Sequence, residues 1–135
     1  MLGLKATMSI IDNSGATLAQ VVHVLKTKVG HGHGRIGDEV VVVIKKARPI
    51  AANVGANSLA AANKVRKGDV RRAIIVRTKK ETRRPDGRYI RFDDNAGVLL
   101  NNKRELLGTR VNGVVAAELR QKGWSRICSL APKVA

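Results

Sequence analysis

The chain has 135 residues, 44% of them apolar, and carries 26 Lys and Arg against 10 Asp and Glu, a net charge of +16. That length supports one hydrophobic core rather than two, and the charge exceeds what solubility requires, so a polyanionic partner is implied. A single cysteine excludes an intramolecular disulfide and a cysteine-rich metal site, and no apolar run approaches the roughly 20 residues that span a bilayer.

From the N-terminus, Met1 to Ala6 lacks the long apolar segment of a secretory signal, so secretion is not expected. Met8 to Ile11 is a short apolar strand candidate, ended by the turn cluster Asp12, Asn13, Ser14 and Gly15. A second strand is expected from Leu18 to Leu25. Between Val29 and Asp38, glycines 30, 32, 34 and 37 alternate with His31, His33 and Arg35, which marks a loop. Val40 to Ile44 is a run of five β-branched residues, continued by Lys45, Lys46 and Ala47 and closed by Pro49. It is the best core strand, apolar on both faces at first and alternating later. Ile50 to Asn63 is dominated by Ala and Asn and is expected to be a loop, with Ser58 placed to cap a local helical turn.

Lys67, Gly68 and Asp69 make a turn before Val70, and Ala73 to Val76 supplies the next strand. Beyond it, residues 77–92 form a basic hairpin: Pro85 pre-sets the turn backbone and Gly87 relieves it, so two polar arms meet at Asp86 and Gly87. Gly97 to Leu100 is a further strand, ended by Asn101 and Asn102. Val114 to Leu119 is expected to be a short helix, with Arg120 and Lys122 near its end and Gly123 as its stop. Many short strands with one late helix indicate a single mainly β domain over residues 1–135, a small barrel or roll.

Charge concentrates on the hairpin and the strand before it. From Lys64 to Arg91 there are 12 basic residues and three acidic ones, Asp69, Glu81 and Asp86, a net +9 in 28 residues. No cationic amphipathic helix accompanies this charge, so nucleic acid is favoured over a membrane surface. Lys and Arg neutralise phosphates, and Arg presents a fork of donors to their oxygens. Only Tyr89, Phe92 and Trp124 are aromatic, too few for a stacking platform, which favours recognition of backbone and shape. Tyr89 is equally suited to stacking on the partner and to supporting its own hairpin; Phe92 belongs to the core. No recognition helix, zinc-finger spacing or heptad pattern is present, so structured RNA is preferred to DNA.

Catalytic and cofactor chemistry is not indicated. His23, His31 and His33 lack accompanying cysteines or closely spaced carboxylates, and Gly32, Gly34 and Gly37 are not followed by the Lys-Ser or Lys-Thr of a phosphate-binding loop. Cys128, between Ile127 and Ser129, is expected to be a small buried side chain. Asp93 and Asp94, beside the basic ribbon, are expected to pair with Arg91 or to tune its charge rather than to hold Mg²⁺. No enzyme, cofactor or metal is therefore expected. The candidate RNA contacts on the basic stretches include Lys45, Lys46, Arg48, Lys67, Arg77 and Arg88.

The stretch AIIVRTKKETRRPDGRYIRFDDNAGVLLNN (Ala73 to Asn102) resembles the signature region of the family of ribosomal protein number fourteen of the large subunit. The likeness extends to IIDNSGA (Ile10 to Ala16), VRKGDV (Val65 to Val70), LGTRV (Leu107 to Val111) and ICSLAP (Ile127 to Pro132), in the family's order. The resemblance implies a closed five-stranded β-barrel with a protruding ribbon and short C-terminal helices. It also implies binding to large-subunit rRNA, a bridge to small-subunit rRNA, large-subunit proteins nineteen and three as neighbours, and docking of a ribosome-silencing factor. By the same likeness Lys79, Lys80, Arg83, Arg84 and Arg91 are the preferred RNA contacts, with Asn95, Asn101, Asn102 and Arg110 as secondary ones. Two features depart from bacterial members: the insertion at 51–63, and Gly97 where the family's block usually carries Cys. The first, with the divergent His-Gly loop, resembles mitochondrial and particularly fungal versions, so a mitochondrial ribosome is expected and a bacterial-type cytoplasmic one is the alternative. A free RNA-binding module and an architectural DNA-binding protein are the competing readings.

Overall fold

The computed structural model describes residues 2–26, 32–49 and 65–135. The insertion at 51–63 and the start of the His-Gly loop therefore lie outside the described residues. Seven strands precede the C-terminal segment: β1 (Thr7–Ile10), β2 (Ala16–Val24), β3 (Glu39–Ala47), β4 (Val70–Arg77), β5 (Thr82–Arg83), β6 (Tyr89–Ile90) and β7 (Ala96–Leu100). Five of them close into a barrel in the order β1-β2-β3-β4-β7, and β5 with β6 forms a separate antiparallel ribbon. Closure is made by β1 and β7 running parallel, with Ser9 opposite Ala96 and Ile10 opposite Gly97. The remaining barrel neighbours are antiparallel.

Side-chain alternation explains which face each strand buries. In β3, Val40, Val42 and Ile44 point into the barrel while Val41 and Val43 are only half-buried. The expected change from two apolar faces to one is thus absent: this strand alternates from its start. β4 and β7 differ. Ala73, Ile75 and Leu99 join the barrel interior, while Ile74, Val76, Ala96, Val98 and Leu100 pack outward into a second core. The unbroken apolar runs of these two strands therefore mark a sheet buried on both faces.

The cover over that outer face is the C-terminal segment, and here the expected helix is corrected. Val114–Val115 is a strand, β8, paired in parallel with β9 (Lys133–Val134). The helix α1 begins only at Glu118 and ends at Gln121, and a second helix, α2, spans Ser125–Leu130. Two adjacent valines favour extended backbone, and the Ala135 N–H completes the pairing by donating to the Val115 carbonyl at 2.9 Å. Gly123, with φ of 88°, lies just beyond α1 as expected. Neither helix has a capping side chain; helices this short persist because they bury Leu119, Ile127 and Cys128.

Gly97 is a close approach. A Cβ there would meet the Ile74 carbonyl oxygen and Met8 Sδ, both at 2.9 Å. Met8 thus occupies the space that a side chain at position 97 would need. Gly97→Ala is expected to destabilise the fold by about 1–3 kcal/mol, measured by urea unfolding, and trimming Met8 to Ala in the same chain should recover only part, because the Ile74 carbonyl remains.

The turn after β1 is also a fastening. Asp12 Oδ1 accepts the Ser14 N–H at 3.2 Å and the Ser14 hydroxyl, while Oδ2 accepts the Leu99 N–H at 2.9 Å. Burial raises the Asp12 carboxyl above its ordinary pKa, outweighing these hydrogen bonds, which lower it. A raised folded value means that the folded chain holds the proton more tightly. The carboxyl's contribution is then fully present below the unfolded value and is lost as pH rises through the folded one. Asp12→Asn places an amide N–H₂ against one of the backbone or hydroxyl donors and is expected to cost about 1–3 kcal/mol. That deficit should shrink as pH rises from acid toward neutral; a deficit that grows with pH would contradict the burial argument.

Candidate RNA interface

The ribbon grows directly out of β4. Buried Thr78 roots it: its hydroxyl donates to the Lys80 carbonyl at 2.8 Å and its own carbonyl accepts the Phe92 N–H at 3.0 Å. Asn95 Oδ1 accepts the Lys79 N–H at 2.8 Å and ties the first arm to the strand that follows the second. Thr82 pairs with Ile90 and Arg83 with Tyr89. The loop closes with Gly87 N–H on the Arg84 carbonyl at 3.0 Å and Arg84 N–H on the Arg88 carbonyl at 2.8 Å, with Gly87 at φ 83° as this tight connection demands. Asp86 accepts both the Arg88 N–H (3.0 Å) and its Nε (2.6 Å), and these bonds hold its carboxyl below the usual range. Pro85, Asp86 and Gly87 shape the turn.

Ion pairs divide the predicted contacts into two groups. Arg84 is committed internally: its Nε bonds Glu118 at 2.6 Å and its Nη2 bonds the Ala135 carbonyl at 2.7 Å, with both charged side chains mostly buried. Arg77 Nη2 meets Asp94 at 3.2 Å, and Arg77 Nε is buried with no acceptor among the described residues. The expected Arg91 pairing is thereby replaced. A register shift between Ile75 and Arg77 sets Arg77 opposite Ala96, beside Asp94 in sequence. Lys80 and Arg88 are paired with their neighbours Glu81 and Asp86 but stay exposed, where such pairs are weak and yield readily to a phosphate. Lys79, Arg83 and Arg91 are exposed and make no ion pair among the described residues. They are the cations most available to a polyanion.

A second basic surface lies at the opposite end of β4, about 23 Å away at the ordinary strand rise. There Arg48, Arg66 and Lys67 line one hollow with Ala47 and Pro49, and Lys45 and Lys46 lie exposed at the end of β3. The Arg48 N–H bonds the Gly15 carbonyl at 2.7 Å and Gly68 N–H bonds the Ile44 carbonyl at 2.8 Å, so backbone contacts hold the two basic segments together. Arg110 belongs to this end as well: its N–H, with that of Thr109, donates to Asn13 Oδ1 in the turn after β1. Asn101 Oδ1 accepts the Lys103 and Glu105 N–H groups, both at 2.9 Å, and organises its own turn, while Asn102 is exposed.

Two cations escaped the sequence reading. Arg66 precedes Lys67 in the VRKGDV block and faces the same hollow. Arg35, read as one residue of a glycine loop, lines one hollow with the ribbon residues Glu81, Thr82, Arg83 and Tyr89; no sequence signal links residues so far apart. Phe92 is partly buried against the outer core and Cys128 is buried. Tyr89 is 65% exposed. Among the described residues no group of three His, Cys, Asp or Glu is placed to hold a metal ion.

The family model described as ribosomal protein L14p/L23e matches residues 1–135. The chain is 55% identical over 133 residues to the large ribosomal subunit protein uL14m of Schizosaccharomyces pombe, covering 98% of each chain. It is 48% identical over 132 residues to the uL14m of Neurospora crassa, again covering 98% of each. With a closed five-stranded barrel, a basic ribbon and a match that runs from end to end, the chain belongs to the ribosomal protein L14p/L23e family.

Proposed function

We propose that the chain is a structural, non-enzymatic protein of the mitochondrial large ribosomal subunit that binds rRNA by charge and shape at two basic surfaces. The observation that carries this reading is the family match over residues 1–135, joined by two relatives named as large-subunit proteins of the uL14m type. The distribution of free cations supports it: Lys79, Arg83 and Arg91 at the ribbon, and Lys45, Lys46, Arg48, Arg66, Lys67 and Arg110 at the other end of the barrel, make no ion pair among the described residues. Two such surfaces on one rigid barrel suit a wedge between RNA segments, and a bridge to small-subunit rRNA is the family's expected use of one of them. Large-subunit proteins nineteen and three as neighbours, and a ribosome-silencing factor as a visiting partner, follow from the same family likeness. The insertion at 51–63 belongs to this proposal as a fungal mitochondrial elaboration.

The test is retention on the particle. After a high-salt wash of purified mitochondrial ribosomes, the chain should remain with the large subunit. Release as a monomer that still binds isolated RNA hairpins would favour a free RNA-binding module, and equal competition by duplex DNA would favour an architectural DNA-binding protein.

A further inference from the structure

A hollow of about 300 Å³ lies on the ribbon, lined by Arg35, Glu81, Thr82, Arg83 and Tyr89, at the lower end of the range of small-molecule sites. Its chemistry is unlike that of the other basic surface. Arg83 and Tyr89 are directly opposite across the ribbon, so their side chains share one face. Tyr89 is 65% exposed and contributes little to packing the hairpin. Arg35 arrives from the barrel, its N–H fixed by Asp38 Oδ2 at 2.8 Å. The guanidinium groups of Arg35 and Arg83 make no ion pair among the described residues, and the one acidic group in the hollow, Glu81, is paired with Lys80 Nζ at 2.6 Å. The hollow thus presents two uncommitted guanidinium groups beside an uncovered aromatic ring.

We infer that this hollow seats one unstacked nucleotide of the RNA partner, with its phosphate between Arg35 and Arg83 and its base against Tyr89. A guanidinium pair meets phosphate oxygens in fork geometry, and a base face on tyrosine is a sequence-tolerant contact. Thr82 belongs to the same lining. The site makes the ribbon a combined phosphate and base reader, and it assigns Arg35 to the interface.

This inference rests on the RNA-binding reading, and the experiment separates the two. Affinity for an RNA stem-loop with an unpaired loop is measured against salt for the full chain and for Tyr89→Leu, Tyr89→Phe, Arg35→Gln and Arg83→Gln, each checked for an unchanged unfolding midpoint. Tyr89→Leu should weaken binding roughly tenfold with the salt slope unchanged, and Tyr89→Phe should restore it. Arg35→Gln and Arg83→Gln should each flatten the slope by about 0.9. Because Tyr89 is the only tyrosine, its ring resonances report the site directly: adenosine 5′-monophosphate should shift them, and inorganic phosphate should not. If the stem-loop binds but Tyr89→Leu matches the parent chain, the nucleotide seat is overturned and the RNA-binding reading stands; if no RNA binds, both fall. A phosphoserine peptide that displaces the stem-loop as well as the mononucleotide does would overturn the seat in favour of a phosphopeptide.

Discussion

Replacing Lys79, Arg83 and Arg91 together with glutamate is expected to abolish incorporation into the large subunit while leaving the isolated protein folded. All three side chains are exposed and lie outside both cores, so cooperative unfolding should keep its midpoint. Each lost phosphate contact removes nearly one unit from the slope of log affinity against log salt, so the slope should flatten by roughly 2 to 3 and affinity at low salt should fall at least a hundredfold. The set omits Arg77 and Arg84 because their guanidinium groups serve the fold. An unchanged slope with normal incorporation would remove the ribbon from the RNA interface.

Arg84→Ala should give the opposite pattern. It leaves Glu118, 16% exposed at its side chain, without its cation and removes a donor from the Ala135 carbonyl. Breaking a fully buried pair in this way costs about 3–5 kcal/mol; the partial exposure here reduces the expected loss to about 2 kcal/mol. Because the pair ties the ribbon's turn to α1, RNA affinity should also drop as the ribbon loses its orientation, yet the salt slope should stay the same. Exchanging the charges, Arg84→Glu with Glu118→Arg, should recover part of the stability. A slope that flattens by about one in Arg84→Ala would place this arginine on a phosphate instead.

Local pattern carried the barrel and the hairpin. Short apolar runs bounded by Asp, Asn, Gly and Pro marked all five barrel strands to within a few residues, and Pro85 and Gly87 fixed the hairpin's turn. The C-terminus was less legible because its elements are held by distant partners. Val114–Val115 becomes a strand only by pairing with Lys133–Val134, and α2 has no cap to announce it. The same limit applied to the interface. Lys79, Arg83 and Arg91 carry their availability in the excess of local charge. The commitment of Arg84 to Glu118, the diversion of Arg77 to Asp94 and the placing of Arg35 and Tyr89 around one hollow depend on a tertiary arrangement that no spacing encodes. Asp12 is the clearest case: DNSG marks a turn, but the reach of its carboxylate to Leu99, 87 residues away, exists only in the closed barrel.

The most direct test of the account is a density map of the intact mitochondrial large subunit from the source organism. It should place this chain in the particle with Lys79, Arg83 and Arg91 against rRNA phosphates and Arg84 on Glu118. A ribbon that faces solvent or packs only on protein, with Arg84 released onto RNA, would contradict it.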